Sequence, residues 1–355
     1  MAINAGTELN ELIETVIAEG ASDLHLSAHS HPIIRASGNL IPLLKKPVYA
    51  AEDTRALLVQ LVGKEKVEEF EKTQEIDFSY AYKDKVRFRG NAFIQQGTIS
   101  VALRLIPHDI KTFADLMLPP ALETFTQLQQ GFFLVVGPVG QGKSTTLASM
   151  VEKINQDRTE HIVTIEDPIE YVFESKNSII NQREVKIDTH SFHEALISAF
   201  RQDVDVIMVG EMRGPETMVA AVTAAETGHL VLSTLHTNNA AQTIDRIIDT
   251  FPSSQQDQIR LQLASSLAGI FSQRLIPRIS GGLIPAYELL INTEAVANLI
   301  REKRTHEINT LIETGSESGM IDMNRCLADL VRRGEVTPEN AISRSLNPKT
   351  FMRLI

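Results

Sequence analysis

The chain has 355 residues, 43% of them hydrophobic and 22% charged, which is the composition of an ordinary globular protein with about two domains. Its net charge of -11 gives no support to nucleic-acid binding, and its single cysteine, Cys326, excludes an intrachain disulfide and a paired-cysteine zinc site. The apolar runs are far shorter than the roughly 20 residues that span a bilayer, and the N-terminus does not resemble a signal peptide, so we expect a cytoplasmic protein without a transmembrane segment.

The first part of the chain, residues 1–108, predicts an α+β domain with an antiparallel sheet. Apolar residues recur at helical spacing from Leu9 to Ile17 with Thr7 as the expected cap, and a second helix is expected over residues 52–72. Residues 22–43 predict short strands with a turn at residues 37–39. Three alternating runs follow, and their shared apolar face would comprise Ile76, Phe78, Tyr80, Tyr82, Val86, Phe88, Phe93, Ile99, Val101, Leu103 and Leu105.

Three arginines lie opposite this apolar face. Arg87 and Arg89 alternate with apolar residues and therefore point to the same side of the sheet, and Arg104 belongs to the next run. Guanidinium groups suit bidentate contacts to phosphate. The arginines are thus either candidates to reach a nucleotide, for example in a neighbouring subunit, or part of an ordinary solvated face.

A proline-containing connector, residues 109–122, leads to a second pattern over residues 123–291. Short, continuously apolar strands now alternate with helices, near residues 132–137, 161–167, 203–211 and 229–236. Such strands are typical of a parallel sheet covered on both faces, so an α/β domain is expected. Only helices are expected after about Asn292, which makes residues 292–355 a C-terminal helical region.

The sequence GPVGQGKST, residues 137–145, matches the phosphate-loop pattern GxxxxGK[ST]. A buried strand precedes it and a helix with an apolar face follows, which is the context that the pattern requires. Glycines let backbone N–H groups surround an anion, Lys143 would reach the β- and γ-phosphates, and Ser144 would bind Mg²⁺. The chain lacks the guanine-specific NKxD sequence, which favours ATP. The residues expected to hold it are Gly137, Pro138, Val139, Gly140, Gln141, Gly142, Lys143, Ser144 and Thr145.

Carboxylates follow two of the predicted strands. TIEDPIEY supplies Glu166, Asp167 and Glu170, and VIMVGEMR supplies Glu211. Ligands bind outside the C-terminal ends of parallel strands, where one acid can hold Mg²⁺ or its water and another can take a proton from attacking water. Glu211, partly through water, and Glu166 are therefore candidate partners of Mg²⁺ beside Ser144. Alternatively these acids face solvent, or Glu166 and Asp167 hold the turn.

Two histidines bound the predicted strand GHLVLSTLH. His229 and His236 are seven positions apart, so their Cα atoms should be separated by roughly 23 Å and their side chains should point to opposite faces. They therefore cannot share a metal ion or exchange a proton within one subunit. His236, at the nucleotide end, can sense the γ-phosphate or orient water, whereas His229 is expected to be structural or to lie at an interface.

In this order, GPVGQGKST, TIEDPIEY, VIMVGEMR and AAETGHLVLSTLH resemble the Walker A, Asp box, Walker B and His box of the secretion-type ATPases of type II secretion and type IV pili. NQREV and SDLHL are similar to further segments of that family. The resemblance implies a PAS-like N-terminal domain, a RecA-like P-loop core, ATP and Mg²⁺, and a homohexamer with nucleotide between subunits. It implies Glu170 as the catalytic glutamate, Glu211 as the Walker B glutamate, and Arg87, Arg89 and Arg104 as arginines that approach the phosphates.

Within this family the chain resembles the type IV pilus retraction ATPases. It has their length and short N-terminal domain, and one cysteine cannot supply the tetracysteine zinc motif of assembly ATPases. The resemblance implies a motor for pilus retraction and twitching motility, peripheral at the inner membrane, with a pilus platform protein and a paralogous retraction ATPase as partners and no nucleic acid. The alternatives are an assembly or secretion ATPase, a nucleic-acid translocase, and a regulatory module that binds ATP without hydrolysis.

Three segments depart from the family pattern. Val139 and Gln141 occupy phosphate-loop positions where Thr and Ser are common, and Gly214 stands where Asp is frequent. EAVANLIRE, residues 294–302, resembles the AIRNLIRE motif tied to retraction, but Val296 and Ala297 replace its Ile-Arg. Both the retraction motor and its accessory paralogue therefore stay open as interpretations.

Overall fold

The computed structural model describes residues 3–36, 38–83, 86–106, 109–212 and 214–355. The chain divides into two compact units, the first comprising Met1–Asp109 with Glu170–Val172 and the second Ile110–Ile169 with Phe173–Ile355. Across these described ranges, none of the helices combines the length and the apolar character that a membrane crossing requires.

The first unit is a six-stranded sheet whose apolar face packs against helices. All its strand pairs are antiparallel, as the alternating runs predict. The assignment of this unit to the PAS class stays a prediction. The helices are α1 (Ala5–Ala18), α2 (Ala51–Val62) and α3 (Lys64–Thr73), and the strands are β1 (Asp23–Ser27), β2 (Ile33–Ala36), β3 (Asn39–Pro42), β4 (Glu75–Tyr82), β5 (Val86–Gln95) and β6 (Thr98–Ile106), in the sheet order β3-β2-β1-β6-β5-β4.

The first unit differs from the prediction in three details. The single helix expected over residues 52–72 is two helices, because Gly63 has a φ of 80° and ends α2 before α3 begins. Asn4 rather than Thr7 caps α1, since the Asn4 side chain accepts a hydrogen bond from the backbone N–H of Thr7. Phe93 is 36% exposed and lies on the face opposite to Phe88, because the two residues are an odd number of positions apart along β5.

The second unit is built on a seven-stranded sheet. The strands are β7 (Gly131–Val136), β8 (His161–Glu166), β9 (Ile179–Glu184), β10 (Val206–Val209), β11 (Leu230–Leu235), β12 (Leu267–Pro277) and β13 (Leu283–Ile291), in the order β13-β12-β7-β11-β10-β8-β9. Neighbours from β12 to β9 are parallel, and only the pairing of β13 with β12 is antiparallel among these described strands. The predicted parallel α/β sheet is confirmed, but β9, β12 and β13 were not predicted, because polar residues interrupt their apolar pattern.

Helices of the second unit cover this sheet. Val296 and Ile300 share an apolar cluster with Phe132 of the sheet, and Leu327 shares another with Ile276. The helices are α4 (Ala121–Thr126), α5 (Lys143–Asp157), α6 (Phe192–Ala199), α7 (Pro215–Glu226), α8 (Ala240–Asp249), α9 (Ser253–Ser266), α10 (Glu294–Arg301), α11 (Ile308–Thr314), α12 (Met323–Arg332), α13 (Pro338–Ile342) and α14 (Pro348–Phe351).

Glu288, on β13, is a carboxyl group buried inside the second unit. Its Oε1 accepts a hydrogen bond of 2.8 Å from the backbone N–H of Ala240, the first residue of α8, and one of 3.5 Å from the Ser272 hydroxyl. Burial raises the pKa of Glu288 to about 7, against the opposing effect of the Ala240 N–H. The folded protein therefore holds a proton here that the unfolded chain loses near the ordinary value of 4.5.

This raised pKa makes the stability of the second unit depend on pH. Folding loses stability as the pH rises from about 4.5 to about 7, because only the unfolded chain is ionised there. We expect Glu288→Gln, which keeps an acceptor for Ala240, to raise the free energy of unfolding by up to ~3 kcal/mol above this window and by little below it. Urea unfolding at several pH values measures the difference, with the exposed Glu313→Gln as the control. A difference that does not vary with pH would contradict the prediction.

Candidate nucleotide-binding site

The sequence GPVGQGKST forms the connection between β7 and α5, at the C-terminal edge of the parallel sheet. Gly137, Gly140 and Gly142 all have positive φ angles, which L side chains rarely adopt. Helix α5 begins at Lys143 and runs for 15 residues, so its first backbone N–H groups lie at the loop. The strand and the helix that the phosphate-loop pattern requires are both present, and a turn of this kind is suited to binding an anion.

Lys143, His236 and Glu211 come together at this edge. Lys143 is 7% exposed, and its Nζ donates to the carbonyl of Pro138 at 3.0 Å and lies 3.3 Å from Nδ1 of His236. The other ring nitrogen of His236 lies 3.5 Å from Oε2 of Glu211. Because β7, β11 and β10 are neighbours in the sheet, their ends bring these side chains into one cluster.

This cluster has the chemistry of a phosphate site. The Lys143 ammonium supplies positive charge beside the loop, and the imidazole of His236 faces both this cation and the Glu211 carboxylate. Ser144, the second residue of α5, and Glu211 supply the kind of oxygen ligands that Mg²⁺ prefers. Among the residues that the structure describes, no group of three or more His, Cys, Asp or Glu side chains forms a metal site.

Glu166 ends β8 and is buried. Its Oε1 accepts a hydrogen bond of 2.6 Å from the Thr164 hydroxyl and one of 3.2 Å from the Gln182 side-chain amide. These contacts tie the carboxylate to β8 and β9 where the turn begins, which favours the interpretation that Glu166 holds the turn. A contact of Glu166 with Mg²⁺ stays a prediction.

Glu170 lies in the irregular segment that follows β8. Its side chain is exposed, and the preceding residues include the half-buried Asp167, whose Oδ1 is 4.0 Å from Nζ of Lys186. An ion pair with Lys186 thus helps to position Asp167 in this segment. The role of Glu170 in catalysis stays a prediction.

His229 lies at the opposite end of β11 from His236. The strand spans Leu230–Leu235, so the two histidines flank it on either side, as strand geometry predicts. Nδ1 of His229 is 3.1 Å from the carbonyl oxygen of Ala224, and its ring meets that of Phe200 edge-on with 5.7 Å between centroids. Both contacts are structural, and they place His229 away from the phosphate loop.

The three arginines lie on the face of the first unit's sheet that is opposite to its core. Arg89 and Arg104 are paired directly across β5 and β6, and Arg87 is two residues from Arg89 on the same face. Nε of Arg104 donates to Oδ1 of Asp23 at 2.8 Å. The other carboxylate oxygen of Asp23, Oδ2, lies 3.7 Å from Nε of Arg35. The Arg104 side chain is nevertheless 72% exposed, so it presents its charge to solvent. Contact between these arginines and a nucleotide stays a prediction.

Gln273 is a side chain that contacts the phosphate loop and that the sequence patterns did not indicate. Gln273, on β12, is buried, and its Nε2 donates to the carbonyl of Gln141 at 2.8 Å. Its Oε1 accepts a hydrogen bond of 2.7 Å from the Thr146 hydroxyl. The two glutamines are 132 positions apart in the chain, and no local pattern connects them.

Gly137 packs directly against β12. A Cβ atom at Gly137 would lie 2.4 Å from the carbonyl oxygen of Gln273, and the φ of Gly137 is +150°. We expect Gly137→Ala to lower the free energy of unfolding by about 2–4 kcal/mol, because the loop or β12 must move to relieve both the overlap and the strain. Thermal unfolding without nucleotide measures this loss.

Gly140→Ala is the matched control for this prediction. Gly140 has a φ of +75°, but a Cβ atom there would meet nothing within 4 Å. Its substitution should therefore cost only ~1 kcal/mol of backbone strain. Equal losses of stability in the two variants would show that the close packing of β12 against Gly137 does not contribute to the cost of the Gly137→Ala substitution.

The glycine loop between β7 and α5, the buried Lys143 and the strand-end Glu211 define the second unit as an α/β P-loop nucleotide-binding domain. Residues 5–307 match the family described as "Type II/IV secretion system protein". The chain therefore belongs to the type II/IV secretion system protein family.

The similarity to known members extends over nearly the whole chain. The chain is 44% identical over 349 residues to the type IV pilus retraction ATPase PilT of Pseudomonas aeruginosa, covering 97% of this chain and 100% of that protein. It is 38% identical over 339 residues to the type IV pilus ATPase PilU of the same organism, covering 95% and 88%. A crystal structure of the pilus retraction motor PilT with bound ADP matches with a TM-score of 0.90 and 45% identity, covering 97% of this chain and 98% of that one.

Proposed function

We propose that this protein is an ATP-hydrolysing motor that powers type IV pilus retraction, and hence twitching motility, by disassembling pilin subunits into the inner membrane. The observation that carries the proposal is the 44% identity to a retraction ATPase over that protein's full length. The cluster of Lys143, His236 and Glu211 at the phosphate loop supports ATP as the fuel.

The candidate site residues have the following proposed roles in hydrolysis. The loop N–H groups and Lys143 bind the β- and γ-phosphates, and Ser144 and Glu211, the latter partly through water, hold Mg²⁺. When bound, Mg²⁺ neutralises phosphate charge. Glu170 polarises the attacking water, and His236, in contact with both Lys143 and Glu211, orients the groups around the γ-phosphate.

The assembly we propose is a homohexamer, peripheral at the cytoplasmic side of the inner membrane. Arg87, Arg89 and Arg104, which share one face of their sheet, would stabilise the phosphate charge of a nucleotide held by a neighbouring subunit. His229 would lie near a subunit interface. The proposed partners are the pilus platform protein and a paralogous retraction ATPase.

An ATP turnover assay on the purified protein tests the enzymatic part of this proposal. Turnover supports a motor, whereas nucleotide binding without turnover would indicate a regulatory module. Stimulation of turnover by DNA would favour a nucleic-acid translocase instead.

Deletion of the gene tests the direction of the motor. Loss of a retraction motor should leave pili present but static, because extension continues without its counterpart. Loss of the pili themselves would favour the alternative of an assembly or secretion ATPase of the same family.

A further inference from the structure

Two glutamines join the phosphate loop to β12. The side-chain Oε1 of Gln141 accepts a hydrogen bond of 2.8 Å from the backbone N–H of Leu275. The carbonyl of Gln141 accepts one of 2.8 Å from the Nε2 of Gln273. One loop residue is thus held to β12 through both its side chain and its main chain.

The side chain of Gln273 also reaches the helix that follows the loop. Its Oε1 accepts a hydrogen bond of 2.7 Å from the hydroxyl of Thr146, in the first turn of α5. Gln273 is 3% exposed and Thr146 is 1% exposed, so water does not replace these partners. A buried polar group that loses its partner destabilises its surroundings, so removal of either hydrogen bond of Gln273 should disturb the loop and the start of α5.

The two side-chain hydrogen bonds of Gln273 are made to residues on either side of Lys143 and Ser144. Gln141 precedes Lys143 and Ser144 in the chain, and Thr146 follows them. A single amide group therefore fixes the backbone on both sides of the residues that would meet the phosphates.

The backbone of β12 also lies close to the glycines of the phosphate loop. Ser272 is paired with Val136, which places Gln273 beside Gly137. Cβ atoms built on Gly137 and Gly142 would lie 2.4 Å from the carbonyl oxygen and 3.0 Å from the Nε2 of Gln273, respectively. The first and last glycines of the loop therefore allow the approach of Gln273 as well as that of a phosphate.

We propose that Gln273 is a positioning residue of the phosphate loop, which it pre-forms for nucleotide through Gln141 and Thr146. Binding to a pre-formed loop does not require ordering of the backbone, so affinity is higher than for a mobile loop. Gln273 acts through the loop and is not itself a catalytic residue. The inference rests on the proposed function only in that the loop binds ATP.

The test is nucleotide binding and turnover by the full-length Gln273→Leu variant. Leucine has a similar shape but neither hydrogen-bonding group, so we expect the Kd for ADP and the KM for ATP to rise by about 10-fold or more. We expect kcat at saturating ATP to fall by less than about 3-fold, because bound phosphates re-form the loop. A loss of fold stability alone would not produce this split between KM and kcat.

Three further variants sharpen the test. Gln256→Leu removes a side-chain hydrogen bond to the carbonyl of Phe251, away from the loop, and should leave the Kd unchanged. Thr146→Val, which removes one arm of the bridge, should raise the Kd, whereas Thr146→Ser, which keeps the hydroxyl, should not. The Thr146 pair decides the matter if Gln273→Leu does not fold.

The outcomes separate this inference from the proposed function. An unchanged Kd in folded Gln273→Leu, or equal effects of Thr146→Val and Thr146→Ser, would overturn the positioning role while the wild type still binds ATP. A wild-type protein that binds neither ATP nor ADP would overturn the proposed function itself.

Discussion

Replacing Lys143 with alanine is expected to reduce ATP turnover by at least about 100-fold. The Lys143 ammonium is buried against the loop, within 3.0 Å of the Pro138 carbonyl and 3.3 Å of Nδ1 of His236. The measurement is phosphate release by the purified full-length protein at several ATP concentrations.

Lys153→Ala is the matched control for Lys143→Ala. Lys153 belongs to the same helix, but its Nζ forms an ion pair of 3.0 Å with Asp157 away from the loop, and its side chain is 32% exposed. Its removal should leave turnover close to that of the wild type. Near-wild-type turnover in Lys143→Ala would exclude the loop as the site of hydrolysis.

Replacing Glu170 with glutamine is expected to lower turnover by about 100-fold or more while nucleotide binding persists. The exchange keeps the size of the side chain but removes the carboxylate that is proposed to polarise water. Since Glu170 is exposed and glutamine has the same shape as glutamate, we expect the variant to fold. Turnover and ADP affinity, measured on the same preparation, separate catalysis from binding.

Glu174→Gln is the control for this second prediction. Glu174 is also exposed and lies in the same segment, four positions further along the chain. It should retain turnover close to that of the wild type. If Glu170→Gln also retained it, Glu170 would not be the catalytic carboxylate, and Glu211 would become the residue to replace next.

The sequence predicted those parts of the fold whose signals are local. Continuous apolar runs predicted β7, β8, β10 and β11, because strands buried on both faces need no polar residues. β12 and β13 were missed since each includes buried polar side chains, such as Gln273 and Glu288, whose partners lie far away in the chain. The break at Gly63 was also missed, because a single glycine is tolerated within a helical pattern and does not by itself show that the helix ends.

In the candidate site, too, the residues with local sequence signals were predicted, whereas the contacts between distant residues were not. Lys143 and Ser144 are recognisable from their motif alone, because the phosphate loop depends on a contiguous run of backbone and side-chain groups. The seven-residue spacing of His229 and His236 was sufficient to place them at opposite ends of β11, because each residue of a strand adds a fixed length. No spacing could show that His236 would lie between Lys143 and Glu211.

The sequence by itself therefore determined the phosphate loop, the class of the domain and the chemistry at its strand ends. Tertiary structure alone decided which of those side chains meet, and that Gln273 holds the loop from β12. The physical reason is that hydrogen bonds and ion pairs at the sheet edge depend on the order of the strands, β12-β7-β11-β10, which differs from their order in the chain. Local patterns specify individual strands, whereas packing of the complete sheet selects their neighbours.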